Sequence, residues 1–210
     1  MKREIDWQSC YSMSAGDVNE YAALDRWCDM LHQERGRDLR IIEIGSYQGR
    51  SATMMAQYGT VMCIDLFGDI GEGTTRPEYI GRGHFTEYIA NIERLGLVDR
   101  VFPLVGTSDC LNFFPDLYAD IVFVDGSHYY EPVKKDIWNV LRHLNSAGLL
   151  CFHDFKRPSW GYPPIDGMEQ RSPVDPWWGV AKAVDEFLQN EEFEIFEKVE
   201  GIVSIRKRGS

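Results

Sequence analysis

The chain has no run approaching the roughly 18 to 20 consecutive apolar residues that a membrane span needs. Its opening stretch, "MKREIDWQSC", lacks the apolar core of a secretion signal, so the cytosol is the expected location. Cysteine is scarce and scattered, with five residues at 10, 28, 63, 110 and 151 and no C-x-x-C pair. An odd count in a chain without a secretion signal predicts free, mostly buried thiols. Positive charge is also short: 22 Lys and Arg stand against 33 Asp and Glu, a net charge of −11. A nucleic-acid backbone is therefore not an expected partner, because phosphates need clustered cations. The one basic cluster is "IRKRGS" at the end of the sequence. Repeats and low-complexity segments are absent too.

What remains is ordinary for a folded domain: 210 residues, 44% hydrophobic and 26% charged. Short apolar runs alternate with helical patterns. "RIIEIG" (40–45), "TVMCID" (60–65), "RVFPLVG" (100–106), "ADIVFVD" (119–125) and "GLLCFHD" (148–154) read as strands buried on both faces. Helices are predicted over 49–58, 84–95, about 107–114 and 131–144, with Gly96 capping one and Pro132 opening another. His143, on the last of these, is expected on a solvated face. An amphipathic helix precedes the first strand, with Ser14 near its cap and Gly36 past its end. "WWGVAKAVDEFLQN" reads as a further helix, and "FEIFEKVEGIVSIRKR" as an antiparallel hairpin turning at Glu200-Gly201. Such alternation with right-handed crossovers predicts a doubly wound α/β fold: a mostly parallel, seven-stranded, Rossmann-like sheet. Residues 1–39 would form a helical segment packed on a core domain of 40–210.

Ligands of such sheets sit beyond the carboxyl ends of the strands, where strand order reverses. The turn after the first strand reads Glu43-x-Gly45-x-x-x-Gly49-x-Ser51. A dinucleotide site would need G-x-G-x-x-G, whose second glycine admits the pyrophosphate, yet Tyr47 stands there. Asp65 ends the second strand twenty residues beyond Gly45, where a carboxylate can take both ribose hydroxyls. Glu43, Asp65, Asp125 and Asp154 are expected near one rim, repelling a polyphosphate and favouring a cationic ligand. A helix start at 48–51 can hold a carboxylate. S-adenosylmethionine meets all of these requirements: a ribose, a carboxylate, an ammonium and a sulfonium.

"EIGSYQGRSA", "CIDLF", "DRVFPLVGTS", "IVFVDGSHYYEPVKKDI" and "GLLCFHDF", taken in order, resemble class I S-adenosylmethionine-dependent methyltransferases, nearest to small-molecule O-methyltransferases that include sugar, antibiotic-tailoring and catechol-type enzymes. The resemblance covers roughly 40 to 207. It implies cofactor contacts from Glu43, Gly45, Ser46, Tyr47, Gly49, Ser51, Asp65, Leu66 and Asp125. It places adenine contacts at Gly106, Thr107 and Ser108, although a helix cap at Thr107 or Ser108 is an equal reading. Removing the proton of an acceptor hydroxyl calls for a base, and His128, three residues past Asp125, is the candidate, with Asp125 and His153 beside the acceptor. In catechol-type relatives this place is similar to that of the base. Metal-dependent members hold Mg²⁺ at positions that match Asp125, His153 and Asp154. Histidine at 153 departs from their acid or amide, and imidazole favours a transition metal over Mg²⁺.

Two stretches exceed what a connection requires: the glycine-rich 66–83, and 155–176 with its five prolines, Trp160 and Tyr162. As lids they would cover a small hydroxylated acceptor; as interfaces their aromatic residues would bury a homo-oligomer contact. Three other classes stay open: a nicotinamide-dependent oxidoreductase, a metal-dependent hydrolase built on Asp125, His128, His153 and Asp154, and an adenosyl-binding regulator without turnover.

Overall fold

The structure is a computed structural model, described here for residues 3–6, 18–67, 84–155 and 178–209. The elements run α1 (Val18–Arg35), β1 (Leu39–Ile44), α2 (Arg50–Met55), β2 (Gly59–Asp65), α3 (Phe85–Arg94), β3 (Val101–Val105), a 3-10 helix (Ser108–Phe113), β4 (Ala119–Val124), α4 (Tyr130–Leu141), β5 (Leu144–Phe152), α5 (Trp178–Phe187), β6 (Phe193–Val199) and β7 (Ile202–Lys207). Ser14 and most of both long connecting stretches lie outside the described residues. Among the described residues, no helix is long and apolar enough to cross a membrane.

One seven-stranded sheet carries the order β3-β2-β1-β4-β5-β7-β6. The neighbouring pairs among β1 to β5 are all parallel. β7 runs antiparallel to both β5 and β6, so the expected hairpin is present. Strand order reverses between β1 and β4, which makes that gap the switch point of the sheet.

Period-two alternation divides the strands between two cores. Ile41, Cys63, Phe123 and Cys151 pack with Leu24, Trp27, Met54 and Tyr88, the layer of α1, α2 and α3. Ile42, Ile64, Val122 and Leu150 pack with Val133, Ile137, Val180 and Val184, the layer of α4 and α5. The α1 helix is fastened to the far edge of the sheet as well, since the Trp27 indole N–H donates to Glu197 at 2.6 Å.

The structure departs from the sequence reading in three places. β3 is an edge strand rather than one buried on both faces, with Phe102 47% and Val105 59% exposed. Pro103, which has no N–H for a ladder, suits an edge. Where an α-helix is expected over about 107–114, Ser108–Phe113 form a 3-10 helix. Finally, α4 stops at Leu141, which turns His143 inward instead of onto a solvated face. His143 is fully buried, with Nδ1 2.8 Å from the Leu117 carbonyl.

Candidate active site at the switch point

The β1 turn is built on two left-handed glycines, Gly45 at φ +85° and Gly49 at φ +86°. A Cβ on Gly45 would fall 2.2 Å from the Asp125 carbonyl oxygen, so the ends of β1 and β4 approach as closely as backbone allows. Asp65, at the end of β2, holds the turn from the other side. Its Oδ2 accepts the N–H groups of Ser46 (2.6 Å) and Tyr47 (2.8 Å), and its Oδ1 accepts that of Phe67 (2.7 Å). Leu66 follows directly, half-buried, and Gly106 donates its N–H to the Asp65 carbonyl at 2.9 Å. Thr107 precedes the 3-10 helix, with its hydroxyl 3.2 Å from Asp109. The Ser108 hydroxyl instead points toward α4, donating to Asp136 at 2.6 Å and accepting from Asn139 at 2.9 Å. Its side chain is committed to packing, away from the turn.

Four non-glycine residues take left-handed backbone at this end of the sheet: Tyr47 after β1, Phe67 after β2, Asp154 after β5 and Glu200 after β6. Each such conformation costs about 1–3 kcal/mol and clusters at sites that hold a ligand. The Tyr47 ring is buttressed by His84, their centroids 4.2 Å apart.

Glu43 lies beneath the turn rather than on its rim, fully buried, with Oε2 accepting the Ser46 hydroxyl at 2.5 Å. Burial raises its pKa to about 7, against hydrogen bonds from Ser46, Ser51 and Cys63 that favour the charged form. Between its ordinary pKa of 4.5 and about 7, the folded chain keeps a proton that the unfolded chain has lost. Stability from this group is present below that window and lost as pH rises through it. Glu43→Gln removes the titration. Melting curves of the variant and the wild type are therefore expected to shift in the variant's favour by about 3 kcal/mol between pH 4 and pH 8. A difference that stays flat with pH would show that Glu43 does not titrate there.

A second cluster stands across the switch point, at the ends of β4 and β5. His128 Nε2 lies 2.8 Å from Asp154 Oδ2. His153 Nδ1 lies 3.1 Å from Asp125 Oδ1 and 3.2 Å from Asp154 Oδ2, and its Nε2 lies 2.9 Å from Glu20 Oε2. Burial works to lower the His153 pKa, but Asp125 alongside, with hydrogen bonds to Asp125, Asp154 and Glu20, drives it well above the usual imidazole range. Burial likewise opposes ionisation of Asp154, and the His128 and His153 hydrogen bonds override it, holding the carboxyl well below its ordinary range. Nearby, the Tyr21 hydroxyl is pushed up to about 12, first by burial and then by Asp125. The buried Arg50 guanidinium lies 3.9 Å over the Tyr21 ring.

The sequence placed Asp125, His128, His153 and Asp154 together, and they are together. The metal-capable grouping differs from the expected one. Asp125, His128 and Asp154 offer ligand atoms within 4.8 Å of one another, while His153 stands between the two carboxylates on one side and Glu20 on the other. Two carboxylate oxygens and one imidazole nitrogen fit Mn, Fe or Zn better than Mg²⁺. Glu20, Tyr21 and Arg50 were missed as members of this neighbourhood. Only the helix pattern marked the first two, and helix periodicity assigns a face without naming the strand it meets.

Comparison with known proteins agrees with this geometry. Residues 42–155, which run from within β1 to just past the end of β5, match the methyltransferase domain family. Three solved structures share the fold. Cofactor-bound Rv0187 from MTB is 16% identical, with a TM-score of 0.67 over 97% of this chain and 87% of its own. The SAH-bound methyltransferase PaMTH1 of Podospora anserina is 14% identical, at 0.64 over 96% and 86%. The Bacillus cereus O-methyltransferase in complex with SAH is 17% identical, at 0.60 over 95% and 87%. In sequence, the chain is 27% identical over 127 residues to protein R132 of Acanthamoeba polyphaga mimivirus, covering 59% of this chain and 54% of that protein. The chain thus spans about half the length of that relative. With the glycine turn, the acidic strand ends and the switch point between β1 and β4 all in the matched segment, the chain belongs to the methyltransferase domain family.

Proposed function

We propose that the chain transfers a methyl group from S-adenosylmethionine to a hydroxyl of a small molecule. One observation carries the reading: the turn anchored by Asp65 has Tyr47 where a dinucleotide site needs glycine, and it faces a histidine–carboxylate cluster across the switch point. The donor set fits the cofactor, since a rim of carboxylates suits an ammonium and a sulfonium and disfavours linked phosphates. Gly45, Ser46, Tyr47, Gly49 and Asp65 would hold it, with Glu43 and Ser51 beneath and Leu66, Gly106 and Thr107 at the adenine end. When bound, the cofactor supplies an electrophilic methyl whose leaving group is a neutral thioether.

The chain's own residues supply position and proton transfer. His128 takes the hydroxyl proton, and Asp154 orients its ring and stabilises the imidazolium that forms. Asp125, half-buried at the end of β4 beside Ser127 and His128, would face the acceptor. Solution in calorimetry is direct: S-adenosylhomocysteine is expected to saturate the chain while NAD gives no heat. Labelled methyl transfer to a panel of catechols and sugars would then give the acceptor class. Saturation by NAD, without heat from S-adenosylhomocysteine, would overturn the reading in favour of an oxidoreductase.

A metal-assisted version is favoured by the grouping of Asp125, His128 and Asp154. A divalent ion held there would orient the acceptor hydroxyl and lower its pKa. Chelation by EDTA with recovery on adding Mn²⁺ separates this version from the metal-free one.

A further inference from the structure

Glu20 belongs to the first turn of α1, outside the segment that matches the family, and is only 3% exposed. Its two oxygens hold different elements. Oε1 accepts the backbone N–H of Gly201, in the β6–β7 turn, at 2.8 Å. Oε2 faces His153 Nε2 at 2.9 Å, across 133 residues of sequence. The opposite nitrogen of the same ring faces Asp125 and Asp154. Gly201 also accepts the Phe155 N–H at 2.7 Å, which pins the chain immediately after Asp154 to the same turn.

Resting on the methyltransferase reading of the site, we propose that Glu20 is a positioning residue. It fixes the His153 ring between Asp125 and Asp154 so that both carboxylates, and His128 through Asp154, keep a single arrangement. A hydrogen bond held at one imidazole nitrogen fixes the rotation of the ring, and so which groups the other nitrogen meets. The rings flanking His153, Tyr21 at 6.5 Å and Phe123 at 6.4 Å between centroids, constrain its tilt but leave that choice to Glu20. His153 Nδ1 stands 3.1 and 3.2 Å from the two carboxylates, so the rotation of the ring sets how each of them is met. On this view α1 is part of the site, carrying a contact that no residue of the matched segment supplies.

The test uses the full chain with ¹⁵N-labelled histidine rings and the Glu20→Gln variant. Glutamine keeps the shape and can keep the Gly201 bond through its carbonyl oxygen, so a purely structural role predicts at most a shift confined to the His153 ring that it touches. The positioning role predicts that the His153 and His128 ring resonances both move, while S-adenosylhomocysteine affinity by calorimetry stays at the wild-type value. Signals at wild-type positions in the folded variant, or a shift confined to His153, would overturn it. The wild-type spectrum judges it without any variant: an exchange-protected His153 Nε2–H is expected, and its absence also overturns the proposal. Failure of the wild type to bind S-adenosylhomocysteine would instead strike the methyltransferase reading, leaving the ring signals to decide the role of Glu20.

Discussion

Gly45→Ala is expected to abolish S-adenosylhomocysteine binding and to lower the melting temperature by roughly 10 °C. An L-residue at φ +85° costs about 1–2 kcal/mol by itself. The added Cβ would also lie 2.2 Å from a backbone oxygen, that of Asp125, which has no rotamer with which to move aside. Displacing the β1 and β4 ends adds about 1–3 kcal/mol of overpacking. Gly36→Ala is the control: its φ of +61° carries the same handedness, but nothing lies within 4 Å of the new Cβ. It should lose only about 1 kcal/mol and bind normally. Thermal melts and calorimetry on both variants check this. Normal binding by Gly45→Ala would mean that the close approach of β1 and β4 does not shape the cofactor site.

His128→Ala should reduce turnover by about 10²- to 10⁴-fold, the range of a lost general base, with S-adenosylhomocysteine affinity unchanged. Its ring touches Asp154 at 2.8 Å, and its side chain is 37% exposed, so the stability lost should be small, about 1 kcal/mol or less. Steady-state rates with the acceptor, alongside cofactor calorimetry, separate the two effects. Wild-type turnover in the variant would remove His128 as the base. Loss of Mn²⁺ stimulation in the same variant would assign His128 to the metal instead.

The legible parts of the site share a physical feature: each is short in sequence. Glu43, Gly45, Tyr47 and Gly49 lie within seven residues at the end of β1, and the two glycines announce its left-handed positions by residue type. Asp125 with His128, and His153 with Asp154, follow strands whose apolar runs mark where they end. The features that escaped depend on which element faces which. Ser108 looks like a ligand contact from its place after β3, yet its hydroxyl serves Asp136 and Asn139 on α4. The apolar pattern of β3 suggests a buried strand, but position at the sheet edge exposes Phe102 and Val105. His143 follows a helical run, and the early end of α4 carries it inward.

By itself, the sequence determined the alternation of strands and helices, the glycine turn without a dinucleotide glycine, and the set of carboxylates and histidines at the strand ends. These follow from local sterics and from periodicity, which act between residues close in the chain. Only the tertiary structure decided that Asp65 anchors the turn through backbone N–H groups, that His128 completes the metal-capable grouping with Asp125 and Asp154, and that Glu20 reaches the cluster from α1 through His153. Those pairings span up to 133 residues, and burial sets their strength, so no local pattern could specify them.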